Sequence, residues 1–140
     1  MNLEVKDLKK FKKIHLIGIG GISMSAVAET LHNWGFHVTG SDAVHSEITD
    51  KLNLHGIKTT IGHDLENSKN ADLIVFSAAI KDDDPEMVLA RENNIPIVGR
   101  GEFVGLLTKM YKEAICVAGT HGKTTTTSML SVCFLNAEKD

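Results

Sequence analysis

Cysteine and proline are scarce in this chain, with two of each among 140 residues, and the net charge is only −3. Two cysteines are too few for a disulfide scaffold, and the seven histidines do not show the short paired spacing of a zinc site. We therefore expect Cys116 and Cys133 to be small, buried, free thiols. The balanced charge gives no basic footprint for nucleic acid, and an apolar content of 42% excludes a disordered chain.

Long apolar runs are also missing, and no segment approaches the ~20 residues that span a bilayer. Residues 1–13 are basic but lack the uninterrupted apolar stretch of a signal peptide. These absences predict a cytoplasmic protein with no membrane partner.

Short apolar segments alternate with segments of helical periodicity through most of the chain. Strands are predicted over 14–19, 36–40, 58–61, 73–77 and 95–98. Helices are predicted over 23–34, 46–54 and 101–111, and from Pro85, with Asp84 as its cap, to Asn93. This alternation predicts an α/β fold with a parallel sheet covered by helices on both faces. A domain boundary is expected near residue 111, giving domains 1–110 and 111–140.

A glycine-rich loop, Gly18-Ile19-Gly20-Gly21-Ile22-Ser23, follows the first strand and opens the first helix. Its glycines permit a tight turn and close approach of the backbone to a diphosphate, whose charge a helix N-terminus favours. Asp42 ends the next strand, where an acid typically accepts hydrogen bonds from ribose hydroxyls. The order of these features predicts a nucleotide site, with a tight turn that holds no ligand as the alternative. Ser23 argues against an ordinary nicotinamide-dinucleotide motif, because close packing there favours Gly or Ala.

A second loop, Gly119-Thr120-His121-Gly122-Lys123-Thr124-Thr125, lies between an apolar run over 115–118, predicted as a strand, and a predicted helix. Backbone N–H groups at the start of that helix can hold phosphate oxygens. Lys123 adds a point charge, and Thr124 can ligate Mg²⁺. The loop therefore predicts a nucleoside-triphosphate site with Mg²⁺, in which His121 is a contact residue rather than a base.

The two loops together resemble the amino-terminal part of the Mur ligases of peptidoglycan synthesis. The matching stretches are 15–25, 39–42, 62–63, 77–80, 85–86 with Ala90, Arg100 with Glu102, and 119–126. Gly20 favours the members that add L-alanine, because the related ligases that attach a recycled tripeptide typically have Cys there. The chain departs from the family at Ser23, where the alanine-adding members usually have Gly, and at Asp84, which replaces Asn as a helix cap.

The resemblance implies that residues 1–110 form a Rossmann-like domain that binds the UDP part of UDP-N-acetylmuramate. The diphosphate would lie on the loop from Gly18 to Ser23. Asp42, His63 and a turn over 77–80 would shape the uridine pocket. Arg100 would position the substrate or tie this domain to the next. The residues implied to bind the UDP-sugar are Gly18, Ile19, Gly20, Gly21, Ile22, Ser23, Asp42, His63, Ser77, Ala78, Ala79 and Arg100.

The resemblance also implies that residues 111–140 begin an ATP-binding domain, of which they supply the first strand, the phosphate loop and its helix. ATP would phosphorylate the lactyl carboxylate, and L-alanine would attack the acyl phosphate to give an amide, ADP and phosphate. Lys123 and Thr124 would be the catalytic residues. The acidic metal ligands and the amino-acid site would lie beyond Asp140, so the chain alone is expected to bind the UDP-sugar without ligating it.

Some interpretations stay open or carry no function. A nicotinamide-dinucleotide domain would explain the first glycine loop but not the second, and a non-catalytic UDP-sugar module is a further alternative. His15 and His37 are expected at a half-wet sheet edge. An exposed apolar face over 129–135 predicts association through residues 115–135, with the first domain or with a second copy. Arg100 and Glu102 could form a plain surface ion pair.

Overall fold

A computed structural model describes residues 4–137 and divides the chain into two compact units, Met1–Met110 and Tyr111–Asp140. The strands of the first unit are β1 (Lys13–Ile17), β2 (His37–Asp42), β3 (Lys58–Ile61), β4 (Leu73–Phe76) and β5 (Ile97–Gly99). Its helices are α1 (Val5–Leu8), α2 (Ile22–Asn33), α3 (Glu47–Leu54), α4 (Leu65–Lys69), α5 (Pro85–Glu92) and α6 (Arg100–Thr108).

The five strands form one parallel sheet in the order β3-β2-β1-β4-β5. The chain builds outward from β1 first in one direction and then in the other, so the strand order reverses between β1 and β4. This is the topology of a Rossmann-like sheet, and the predicted fold class is confirmed. In such sheets, ligands bind beyond the carboxyl ends of the strands at the point of reversal.

Apolar side chains cover both faces of the sheet, as a parallel sheet requires. On one face, Ile14, Leu16 and Val75 pack in a cluster with residues of α2 and α6. On the other face, Ile17 and Ile74 pack against α5. The central strands β1 and β4 are thus held between two helical layers, and the loops at their carboxyl ends have a rigid base.

Local sequence signals set the start of two helices as predicted. Ser46 caps α3 by accepting a hydrogen bond from Thr49 N. Asp84 caps α5 by accepting from Glu86 N, and Pro85 occupies the first helical position. Asp84 is therefore a working helix cap.

Some predicted boundaries and elements differ from the structure. The last strand lies at Ile97–Gly99, and the following helix begins at Arg100 and ends at Thr108. The short helices α1 and α4 were not predicted. Each has four or five residues and a single buried side chain, Leu8 in α1 and Ser68 in α4, so neither gives a helical apolar pattern.

His15 is fully buried, so its expected place at a half-wet edge was wrong. The reason is the strand order, which puts β1 at the centre of the sheet. His37 begins β2 and is exposed.

In the second unit, the residues that the structure describes contain one regular element, helix α7 (Lys123–Asn136). The strand predicted over 115–118 is wrong, because a strand needs a hydrogen-bonded neighbour and the described part of this unit supplies none. Cys116 and Cys133 are free thiols as expected, but both are exposed and not buried. Across residues 4–137, no helix is long and apolar enough to cross a membrane.

Candidate nucleotide-binding site

A cleft of about 870 Å³ lies at the carboxyl edge of the sheet, where the strand order reverses. The loops after β1, β2 and β4 and the start of α6 form its walls. Ten of the predicted UDP-sugar residues line this cleft: Gly18, Gly20, Gly21, Ile22, Ser23, Asp42, Ser77, Ala78, Ala79 and Arg100. Topology thus brings together side chains that are separated by up to 82 positions in the sequence (100 − 18).

The backbone carbonyl of Ser41 holds the start of the glycine loop. Gly18 N and Ile19 N both donate to the carbonyl oxygen of Ser41, at 2.8 and 3.0 Å. Gly18 has φ +81°, and a Cβ there would lie 2.8 Å from Ser77 Oγ. Glycine at this position is therefore required by both the backbone conformation and the approach of the β4 loop.

Asp42 holds the next residue of the loop. Its Oδ2 accepts from Gly20 N at 2.8 Å, and its Oδ1 accepts from Val44 N at 3.0 Å. A carboxylate has about four acceptor sites, so two remain for hydroxyl donors in the cleft. Asp42 therefore orders the glycine loop in addition to lining the cleft, which the sequence did not predict.

Because of these contacts, only some N–H groups of the loop remain available to bind a ligand. The N–H groups of Gly18, Ile19 and Gly20 are used within the protein, and the side chain of Ile19 is fully buried in the core. Helix α2 begins at Ile22 after Gly21, which provides no side-chain cap. The N–H groups of the first turn, residues 22–24, have no acceptor within the helix and can bind an anion.

Arg100 supplies a positive charge to the same cleft. It is the first residue of α6, and among the described residues its guanidinium has no hydrogen-bond or ion-pair partner. In particular, it forms no ion pair with Glu102. An unpaired guanidinium is well suited to bidentate binding of a phosphate.

His63 lies outside the main cleft, in an adjoining cleft of about 380 Å³ that also contacts Ala79 and Ile80. Its side chain is half exposed, and its Nδ1 lies 3.6 Å from Asp84 Oδ2 and 3.9 Å from Glu86 Oε1. Because Ala79 and Ile80 line both clefts, the turn after β4 separates them.

A buried polar network lies under the cleft on the α5 face of the sheet. Glu86 is fully buried, and its Oε2 accepts from His15 Nε2 at 3.1 Å and from Ser41 Oγ at 2.8 Å. Its Oε1 accepts from Asp64 N. His15 Nδ1 lies 2.8 Å from Thr39 Oγ1, which identifies Thr39 as the donor when Nε2 carries the imidazole proton.

Burial is the largest influence on the pKa of Glu86 and raises it, but the hydrogen bonds from His15, Asp64 and Ser41 together bring the pKa below its ordinary value. The pKa of Asp64 is also lowered: burial raises it, and hydrogen bonds from Asn67 and Thr60 outweigh that effect. Glu86 is therefore a charged carboxylate at neutral pH. The sequence suggested only that it is a first-turn acid, because its partners are 22, 45 and 71 residues away.

The second glycine loop leads into α7. Gly122 precedes the helix with φ +75°, and no side chain caps the first turn. Lys123 Nζ donates to the carbonyl oxygens of Gly119 and Thr120, at 2.7 and 3.4 Å. Uncapped N–H groups, a lysine over the loop and the Thr124 hydroxyl form a donor and ligand set that fits a phosphate with Mg²⁺.

Most apolar residues of α7 are exposed. Met129 is 64% exposed, Val132 56% and Leu135 73%. A groove of about 670 Å³ lies between this helix and the segment that carries Ile115 and Val117.

Comparison with known proteins identifies the family. The model of the Mur ligase family, catalytic domain, matches residues 13–112. The chain belongs to the Mur ligase family.

Similar Mur ligases agree with this assignment. The chain is 51% identical over 138 residues to the UDP-N-acetylmuramate–L-alanine ligase of Acetivibrio thermocellus, covering 99% of this chain and 29% of that protein. It is 55% identical over 136 residues to the enzyme of the same name from Clostridium botulinum strain Okra, covering 97% and 29%. The chain thus spans less than a third of these relatives.

Solved structures of Mur ligases show the same fold. The UDP-N-acetylmuramate–alanine ligase of Thermotoga maritima matches with a TM-score of 0.84 and 39% identity, covering 90% of this chain and 30% of that one. A murein peptide ligase of Psychrobacter arcticus matches with a TM-score of 0.83 and 29% identity, covering 91% and 27%. The predicted Mur ligase resemblance is therefore confirmed.

Proposed function

We propose that this chain carries the UDP-sugar-binding domain and the ATP phosphate loop of a ligase that joins L-alanine to the lactyl carboxylate of UDP-N-acetylmuramate. The names and identities of the relatives support this reaction. The observation that supports the binding role is the cleft at the strand reversal, where the guanidinium of Arg100, an uncapped helix N-terminus and a carboxylate with free acceptor positions converge.

The chemistry of the cleft fits a nucleoside diphosphate. The diphosphate would lie between Arg100 and the first turn of α2, whose positive ends complement its charge. The free acceptor positions of Asp42 would receive ribose hydroxyls. The turn over 77–80, with His63 beyond it, would form the edge that meets the uracil.

The second unit would hold ATP together with Mg²⁺. ATP would supply the phosphoryl group that activates the lactyl carboxylate, and L-alanine would then form the amide and release phosphate. Lys123 would exchange its bonds to loop carbonyl oxygens for phosphate oxygens and balance their charge. Thr120, His121 and Thr125 would shape the loop, Gly119 and Gly122 would allow close approach, and Thr124 would ligate Mg²⁺. The L-alanine site would lie outside this chain, so we expect no ligase activity from the chain alone.

The closest alternative reaction is the attachment of a recycled tripeptide to UDP-N-acetylmuramate. The geometry of the first glycine loop favours alanine addition. A Cβ on Gly20 would lie 2.9 Å from Asp42 Oδ2 and 3.3 Å from Thr49 Cγ2, so the Cys typical of the tripeptide ligases would fit only if these side chains moved.

The family role also suggests a cytoplasmic enzyme, because UDP-activated precursors are cytoplasmic compounds. The exposed apolar residues of α7 further support association of two chains through residues 115–135, since burying such a face is favourable.

Calorimetric titration of the 140-residue chain with UDP-N-acetylmuramate tests the binding role, with NAD(H) as the competing ligand. We expect binding of the UDP-sugar alone, lost in Asp42→Ala. Asp82→Ala is the matched control, because it removes an exposed carboxylate paired with Arg91 outside the main cleft and should leave the Kd unchanged. Binding of NAD(H) alone, or of neither ligand, would refute the proposal.

A further inference from the structure

Glu86 is the unusual feature of the first unit, because it is a charged carboxylate with no exposed surface. Such a group is a weak source of stability, since the loss of hydration offsets most of the energy of its hydrogen bonds. Its contribution is to position other groups, because each carboxylate oxygen restrains the donors that bond to it.

The donors to Glu86 come from three parts of the sheet. His15 belongs to the central strand β1, Ser41 to the carboxyl end of β2, and Asp64 to the loop after β3. Glu86 itself belongs to α5, so one carboxylate joins this helix to three elements on the nucleotide side of the sheet.

Ser41 connects this carboxylate to the glycine loop. Its hydroxyl donates to Glu86 Oε2 at 2.8 Å, and its carbonyl oxygen accepts from Gly18 N and Ile19 N. The next residue, Asp42, accepts from Gly20 N. Ser41 therefore anchors the loop over the sheet, and its hydroxyl links this anchor to Glu86.

We propose that Glu86 is a positioning residue for the nucleotide cleft, acting through Ser41 on the backbone of Gly18 and Ile19. It touches no ligand itself. The inference rests on the proposed UDP-sugar site for its functional consequence, but its structural consequence can be measured without a ligand.

The decisive pair of variants is Ser41→Ala and Thr39→Val. Both remove one buried hydroxyl from β2, two residues apart on the same face, and each hydroxyl makes a single buried hydrogen bond. Only the first hydroxyl contacts Glu86; the second contacts His15. We expect the two variants to lose similar amounts of stability. A difference between them in amide exchange or in affinity therefore reports on the glycine loop.

Amide hydrogen exchange of Gly18, Ile19 and Gly20, followed by NMR on the 140-residue chain, is the ligand-free measurement. We expect exchange to accelerate about tenfold in Ser41→Ala and to stay near the wild-type rate in Thr39→Val, because only the former loosens the acceptor of the loop. Equal exchange rates in the two variants would overturn the proposal.

The affinity for UDP-N-acetylmuramate gives the functional measurement. We expect Ser41→Ala to raise the Kd about tenfold, since sites whose supporting groups are loosened lose affinity, and Thr39→Val to leave it unchanged. If the wild-type chain binds no UDP-sugar, the proposed function fails, while the exchange rates still decide the role of Glu86.

Glu86→Gln separates geometry from charge. The amide can accept from Asp64 N and donate to Ser41 and His15, provided that the imidazole proton moves from Nε2 to Nδ1 and Thr39 becomes the acceptor. We expect near wild-type exchange and affinity in this variant, with the ¹⁵N shifts of His15 reporting the new tautomer. Loss of binding in a folded Glu86→Gln chain would show that charge rather than position matters, and would contradict the proposal.

Discussion

Gly20 and Asp42 leave no room for a side chain between them. Gly20 N donates to Asp42 Oδ2 at 2.8 Å, and a Cβ on Gly20 would lie 2.9 Å from that same oxygen. The contact joins the loop after β1 to the end of β2 and fixes the acid that lines the cleft. A methyl group at residue 20 would therefore displace either the loop or the carboxylate.

Gly20→Ala is expected to weaken UDP-sugar binding about tenfold or more and to lower the free energy of unfolding by about 1–3 kcal/mol, because the Asp42 carboxylate that the new Cβ would meet is held by hydrogen bonds from Gly20 N and Val44 N. Calorimetric titration and urea unfolding would measure the two effects. Gly21→Ala is the control for stability, since its Cβ would meet only Gly18 O at an ordinary 3.6 Å and its φ is −69°. Equal losses in the free energy of unfolding of the two variants would contradict the prediction.

The sequence predicted this region well because its signals are local. A strand, a glycine loop, a helix and a strand-ending acid follow one another within 30 residues (13–42), and parallel pairing of β1 with β2 then puts the acid beside the loop. The hydrogen bond from Gly20 to Asp42 was not predictable, since it depends on how the loop turns. The partners of Glu86 were missed for a related reason: they lie on three other elements.

The second unit shows where prediction from the sequence failed. An apolar run over 115–118 predicts a strand, but no described residue of that unit pairs with it, and Cys116 is exposed as a result. Apolar periodicity indicates what a segment can bury, whereas a strand also requires a neighbour. The helix α7 was predicted correctly because its hydrogen bonds lie within the segment.

Gly40→Ala should be among the most destabilising substitutions in the sheet. A Cβ on Gly40 would lie 2.6 Å from Leu16 O, a backbone atom of the central strand, and 2.5 Å from Ile19 Cδ1. We expect a loss of about 3 kcal/mol or more in the free energy of unfolding, measured in urea by the fluorescence of Trp34.

Gly105→Ala provides the matched control for Gly40. Gly105 lies in α6, and a Cβ there would meet nothing within 4 Å. Alanine should stabilise this helix by about 0.5–1 kcal/mol. A Gly40→Ala chain as stable as Gly105→Ala would show that β1 and β2 are not packed as described.

Acid should unfold the first unit through Glu86 and Asp64. Folding lowers the pKa of each, so the native state binds fewer protons than the unfolded chain at acidic pH. The stabilisation is complete above the ordinary values of 4.5 for Glu86 and 3.8 for Asp64, and it is lost as the pH falls through the lower native pKa values. Urea midpoints followed by Trp34 fluorescence should be flat from about pH 7 to 5.5 and then decrease.

The variant Glu86→Gln tests whether Glu86 causes the loss of stability in acid. It removes the titrating group but keeps its shape, so its urea midpoint should fall less between pH 5 and pH 3 than that of the wild type. A decrease of the same size in both chains would place the acid sensitivity elsewhere, for example at Asp72, whose pKa is also lowered by hydrogen bonds from the backbone of Lys12 and Lys13.

Association through the second unit should depend on the exposed side chains of α7. Leu135 and Val132 are 73% and 56% exposed, and burying apolar surface contributes about 25 cal/mol per Å². We expect light scattering to show a dimer at high protein concentration, and Val132→Ser with Leu135→Ser to shift the chain to a monomer. Leu54→Ser is the control, because Leu54 is 86% exposed at the end of α3 in the first unit and should not affect association. A dimer that survives the α7 substitutions but dissociates on Leu54→Ser would place the interface on the first unit and contradict the prediction.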